Sequence, residues 1–129
     1  MMKRDFYGYG NNPPDVKWPN NSAVAVSIVV NVEEGAELSL IDGDERNEFI
    51  HEINEEIVGS PDLCMTSHFS FGTRSGYWRI SKVLSDFGIA ATFSCCGRAA
   101  ERSSWLVKHA VDNGHEISCH GWRWEKQSG

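Results

Sequence analysis

The sequence predicts an α/β domain built on a parallel sheet, and three observations carry that reading. Short β-rich runs alternate with stretches of helical periodicity. The first run, Ala23 to Val32, is β-branched and nearly continuous in apolarity, the habit of a strand covered on both faces. Each helical stretch closes on a glycine before the next run begins. At 129 residues the chain amounts to one domain at most.

Taken in order, residues 1–22 are polar, aromatic and rich in Pro and Asn, and predict an irregular arm laid over a domain that occupies residues 23–129. The strand Ala23 to Val32 ends abruptly at Glu33-Glu34-Gly35. A polar insertion follows, with Asp42-Gly43-Asp44 as a turn signal. Phe49, Ile50, Ile53, Ile57 and Val58 recur at helical spacing until Gly59-Ser60-Pro61 stops them. After a loop containing SHFSFGTRSG, Ser75 to Phe87 predicts a helix with Ser75 as N-cap, Gly88 as its left-handed terminator, and Ile80, Val83, Leu84 and Phe87 on one face. Ile89 to Cys95 reads as a second strand, Arg98 to Asn113 as a helix closed by Gly114, and His115 to Cys119 as a third strand. Met65, Phe69, Phe71, Tyr77 and Trp78 are expected in core and loop packing.

Composition narrows the function. With 18 acidic against 12 basic side chains and a net charge of −6, the chain lacks the basic footprint that non-specific nucleic-acid binding requires. Its longest apolar run, Ala23 to Val30, is too short to span a bilayer. The amino terminus has no apolar stretch of the kind a signal peptide needs, so the expected location is cytoplasmic. Cys64, Cys95, Cys96 and Cys119 form no Cys-x-x-Cys pair and are expected as reduced, mostly buried thiols.

Parallel α/β folds bind ligands beyond the C-terminal ends of their strands. Three segments end there: at Glu33-Glu34, at Cys95-Cys96-Gly97 and at Cys119-His120-Gly121. Two carboxylates and an imidazole therefore converge on one sheet edge. Crowded carboxylates hold a proton more readily, which suits a base that activates water; solvated loop glutamates and a structural histidine are the plainer alternative. Strand alternation gives Glu33 and Glu34 different roles, or places only one in the site. Trp122 and Trp124 flank Arg123 and either wall a flat ligand or pack over the sheet end. Arg74 sits on a loop, solvated or turned to an oxygen-rich substrate. His51, His68 and His109 have no spacing that favours a metal.

The segments RDFYGYGNNPPDVKWPNNSAVAVSIVVNVEEGAE, FGTRSGYWRI, ATFSCCGRAAE and GHEISCHGWRW resemble the NodB-homology polysaccharide deacetylase superfamily, and more narrowly its allantoinase-like branch. The resemblance runs from about Arg4 to Glu125. It implies the N-terminal portion of an irregular (β/α)7 barrel with parallel strands, the second half being absent, and hydrolysis of a carbon–nitrogen amide bond. The family's Thr-Phe-Asp-Asp-Gly motif supplies a base and then a metal ligand; those positions are Glu33 and Glu34. Its His-x-x-x-His pair of ligands becomes His120 and Trp124. An indole nitrogen carries a proton and cannot ligate, which leaves Glu34 and His120 as weak metal candidates where a catalytic zinc usually has three protein ligands. No cofactor is expected for the allantoinase-like reading, and zinc only for the alternative, an N-deacetylase acting on sugar polymers. The implied substrate is a small cyclic amide, allantoin opened to allantoate. Glu33 or Glu34 would activate water, His120 would orient or protonate, and Arg74, Trp122, Arg123 and Trp124 would hold the ring. The full-length protein is expected to be a homo-oligomer. A non-catalytic remnant is the further alternative, since the family's later motifs have no counterpart here, and the chain alone is expected to be inactive and to associate or misfold.

Overall fold

The computed structural model of the chain describes residues 4–50 and 55–125. Three parallel strands make one sheet in the order β1-β2-β3: β1 Val29–Val32, β2 Thr92–Cys95 and β3 Glu116–Cys119. Val29 pairs with Thr92 and Val32 with Cys95, while Thr92 pairs with Glu116 and Cys95 with Cys119, so all three strands end level with one another. Between β1 and β2 run α1 (Leu63–Phe71), a π-helical turn (Gly72–Gly76) and α2 (Tyr77–Asp86); between β2 and β3 run α3 (Gly97–Arg102) and α4 (Ser104–Asp112). The α/β class and the parallel pairing expected from the sequence are both present.

The core is built where helices meet the central strand. Phe93 and Leu106 are fully buried with Leu84, Ala99 and Ala110 around them, and the Tyr77 ring lies 5.7 Å from that of Phe93. The Tyr77 hydroxyl donates to the Leu106 carbonyl at 3.3 Å and sits 2.7 Å from His109 Nδ1, tying α2 to α4 through a satisfied polar tip.

Several local expectations are corrected. The first strand is four residues long, because β2 offers four residues to pair with. Val24 and Val26 are 70% and 80% exposed, and β1 is an edge strand with Val29 exposed and Val32 buried, not one covered on both faces. Phe49, Ile50 and residues 55–58 are irregular, and the remainder of that predicted helix, with His51 and Ile53, lies outside the described residues. The helix stands later, in the segment read as a loop: the Asp62 carboxylate accepts from the Met65 N–H at 3.0 Å and caps α1. Ser75 therefore caps nothing; it lies within a helical run continuous from Leu63 to Asp86. On α2 the inward stripe is Tyr77, Ser81 and Leu84, while Ile80, Val83 and Phe87 face outward. The helix expected over Arg98 to Asn113 is broken at Ser103, whose backbone leaves helical space. Gly88 and the Leu84 carbonyl, which accepts from Ile89 at 2.9 Å, end α2 as expected, with Gly88 at φ 60°. Met65 and Tyr77 are buried, whereas Phe71 and Trp78 are about half exposed.

Candidate active site

Glu33 and Glu34 lie just past β1 in a tight turn closed by the Ala36 N–H on the Glu33 carbonyl at 2.8 Å, with Gly35 at φ 94° taking the left-handed position. Because they sit in a turn and not in the strand, face alternation does not separate them. Both line one cleft of about 540 Å³, together with Phe49, Ile50, His68, Phe69 and Trp124, a volume suited to a small organic ligand.

The two carboxylates are held differently. Glu33 Oε1 lies 3.0 Å from His120 Nε2 and accepts from Asn31 Nδ2 at 3.3 Å. His120 Nδ1 in turn lies 3.3 Å from the Ser94 hydroxyl. A carboxylate only accepts, so a neutral His120 carries its proton on Nε2 and receives the Ser94 O–H at Nδ1. Ser94 is 8% exposed and sits on β2, the central strand, so it fixes the imidazole from beneath. Glu33 Oε2 has no hydrogen-bond partner among the described residues and is the oxygen left for chemistry. Glu34 instead turns back: its Oε2 accepts from the Glu33 N–H at 3.2 Å, and its side chain lies against Gly72.

The predicted aromatic and cationic wall is divided. Trp124 faces the cleft, its indole edge-on to Phe69 at 6.0 Å, but Trp122 is 60% exposed and lies over Gly97. Arg123 is taken up elsewhere. It donates to Asp44 at 2.7 and 2.8 Å and to the carbonyls of Glu37 and Ala36 at 2.8 and 3.4 Å, which pins the polar insertion beside the strand ends. Arg74 is exposed on the π-helical turn.

Sequence reasoning missed the ionic cluster that does this pinning. Asp42 binds Arg102 at 2.7 Å and Arg98 at 3.5 Å, and Asp44 lies 3.7 Å from Arg98. The Arg123 hydrogen bonds hold the Asp44 carboxyl far below the usual carboxylate range, and Arg102 lowers Asp42 in the same way. The reciprocal shifts on Arg102 and Arg123 are upward, each led by its aspartate partner. The signal was present as DGDE ahead of GRAAER and WRW, but a turn motif names no partner. Asn47, 4% exposed, was also unread; its amide donates to the Ile57 and Ser60 carbonyls at 2.9 and 2.8 Å. Behind the site, burial and then the Glu33 charge push the Cys96 thiol up to about 11.

With this geometry, comparison with known proteins is decisive. The polysaccharide deacetylase profile matches residues 59–129, more than half of the chain. The chain belongs to the polysaccharide deacetylase family. Among the family's proteins, one from Schizosaccharomyces pombe, provisionally named a polysaccharide deacetylase, is 35% identical over 98% of this chain and 41% of its own length. The crystal structure of the PuuE allantoinase superposes with a TM-score of 0.85 at 36% identity, over 98% of this chain and 43% of that one. A Pseudomonas aeruginosa protein, also provisionally named a polysaccharide deacetylase, superposes with a TM-score of 0.85 at 35% identity, over 97% of this chain and 43% of its own. The chain thus spans about two fifths of the relatives it matches, and its three-stranded unit corresponds to that portion of the NodB-type α/β barrel.

The family is generally metal-dependent, and the residues described here do not fit a metal. Among the described residues no three His, Cys, Asp or Glu side chains converge on a common point. Glu33 and His120 turn their facing atoms on each other, and Trp124, four residues after His120, carries a proton on its ring nitrogen and has no lone pair there to offer a metal. No helix among the described residues is long and apolar enough to cross a membrane.

Proposed function

We propose that this chain carries the base-bearing part of a hydrolase acting on carbon–nitrogen bonds other than peptide bonds, and that the reaction is allantoinase-like opening of a cyclic amide. The observation that carries the reading is the Glu33–His120 pair at 3.0 Å, buttressed by Ser94 and set beside a cleft walled by Trp124 and Phe69. The likeness to the PuuE allantoinase supports a cyclic amide as the substrate.

Water bound at Glu33 Oε2 would lose a proton to that carboxylate as its oxygen attacks the ring carbonyl carbon. The ring carbon–nitrogen bond then breaks, and Glu33 returns the proton to the departing nitrogen, leaving a carboxylic acid product and a free ureido group. His120 holds Oε1 through Nε2–H during both transfers, so one oxygen is fixed and the other is free to work. Trp124 and Phe69 offer apolar faces to a planar ring. Arg123 acts through the scaffold, by holding the insertion, and Arg74, exposed on the π-helical turn, would bind a substrate oxygen.

The test is hydrolysis by the protein of allantoin and of N-acetylglucosamine oligomers, each with and without chelator. Chelator-insensitive release of allantoate is expected. Acetate release from the oligomers that chelator abolishes would replace this reading with sugar N-deacetylation.

A further inference from the structure

The motif FGTRSG, residues 71–76, enters the mechanism above only through Arg74, which leaves its first glycine without a role. Gly72 has ordinary right-handed helical angles, φ −56° and ψ −53°, so backbone freedom does not explain a glycine there. In a helix interior glycine costs stability relative to alanine, and such a cost needs a reason. Space supplies it. A Cβ built on Gly72 would meet Glu34 Cγ at 2.7 Å and would overlap the Cδ and Oε1 beyond it. The Glu34 carboxylate thus rests on helix backbone in a seat that any larger residue would fill.

The rest of the turn is consistent with that seat. The Tyr77 N–H reaches back to the Gly72 carbonyl, closing a wide π-helical turn at the point where Glu34 arrives. On its other side Glu34 Oε2 takes the Glu33 N–H. Glu34 is therefore clamped between the π-helical turn and the backbone of the proposed base. We infer that Gly72 is a positioning residue: its missing side chain lets Glu34 lie against the turn, and Glu34 then orients Glu33 by accepting its backbone N–H. The inference builds on the proposed role of Glu33 and adds to it a second-sequence element, the FGTRSG turn, which fixes how that base is presented.

The test is Gly72→Ala, read in the protein by amide hydrogen exchange at Glu33, by thermal melting, and by turnover. Pushing Glu34 out of its seat frees the Glu33 N–H, so its exchange should quicken about tenfold. Turnover should fall by about ten- to a hundredfold, as small misplacements of a reacting group do. Glu34→Ala should free the same N–H by itself, and the double variant Gly72→Ala/Glu34→Ala should exchange no faster than either single variant. In that double variant the clash is gone, and alanine's helix preference should return the Tm to that of Glu34→Ala or above it. If Gly72→Ala alone does not fold, a double variant that folds supports the inference and one that does not overturns it. Unchanged Glu33 exchange in a folded Gly72→Ala protein would also overturn it. Exchange needs no substrate, so altered exchange without any cyclic-amide hydrolysis would retain the positioning role while removing the proposed reaction.

Discussion

Replacing Asp44 with Asn tests how the insertion is held against the strand ends. The Asp44 carboxylate takes two Arg123 hydrogen bonds at 2.7 and 2.8 Å and the Ser39 N–H at 2.9 Å, with side-chain exposure of 16% for Asp44 and 18% for Arg123. Exposed ion pairs contribute about 0–1 kcal/mol, whereas breaking a buried one costs about 3–5. At this exposure Asp44→Asn should cost about 2–3 kcal/mol, because an amide cannot satisfy a bidentate guanidinium. For a chain of this size that is a Tm drop of about 10 °C. The loss should also depend on pH. Asp44 ionises more readily folded than unfolded, so its support is complete above its ordinary value of 3.8 and fades as pH falls below it. Asp42, lowered through Arg102, works in the same sense. Melting followed by circular dichroism should therefore show the wild-type advantage over Asp44→Asn shrinking between about pH 5 and about pH 2. Equal Tm values at neutral pH, or an advantage that stays constant into acid, would refute the assignment of Asp44 as the ionised anchor.

Two further outcomes follow from the packing. Ser94→Ala removes the hydrogen bond to His120 Nδ1 while the Glu33 carboxylate still holds the proton on Nε2, so the Nδ1 chemical shift should move and the ring should lose its lower support. Turnover should drop about tenfold, the equivalent of one neutral hydrogen bond, and wild-type turnover with an unchanged Nδ1 shift would remove Ser94 from the site. In the folded protein, alkylation at neutral pH should label the exposed Cys64 and Cys119 and spare Cys96, whose thiol burial pushes up to about 11. Prompt labelling of Cys96 would contradict the packing around β2.

Periodicity was enough to read the parallel α/β order, because each short apolar run is bounded by turn chemistry and the runs pair in sequence. It was not enough to place α1. The helix starts at Pro61-Asp62, where a stop signal and a start signal overlap, and its buried residue is the solitary Met65. The outward stripe on α2 misled for a related reason: Ile80, Val83 and Phe87 are as apolar as the inward Tyr77 and Leu84, so composition did not say which face turns in. At the site, Glu33, Glu34 and His120 were legible because strand ends concentrate them. Their supports were not. Ser94 and Asn31 are ordinary strand residues until register brings them beneath His120 and beside Glu33. Arg123, read as a ligand for substrate, is bound to an aspartate 79 residues away, a pairing only the fold creates.

The most direct measurement is the turnover of allantoin by Glu33→Gln beside Glu34→Gln in the protein. Glutamine keeps the shape of either side chain and removes its capacity to take a proton from water. Glu33→Gln should lower kcat by about a hundredfold to ten-thousandfold, the contribution of a general base, with Glu34→Gln the milder of the two because its carboxylate is committed to Glu33's backbone and the Gly72 turn. Wild-type turnover by Glu33→Gln would contradict the account at its centre.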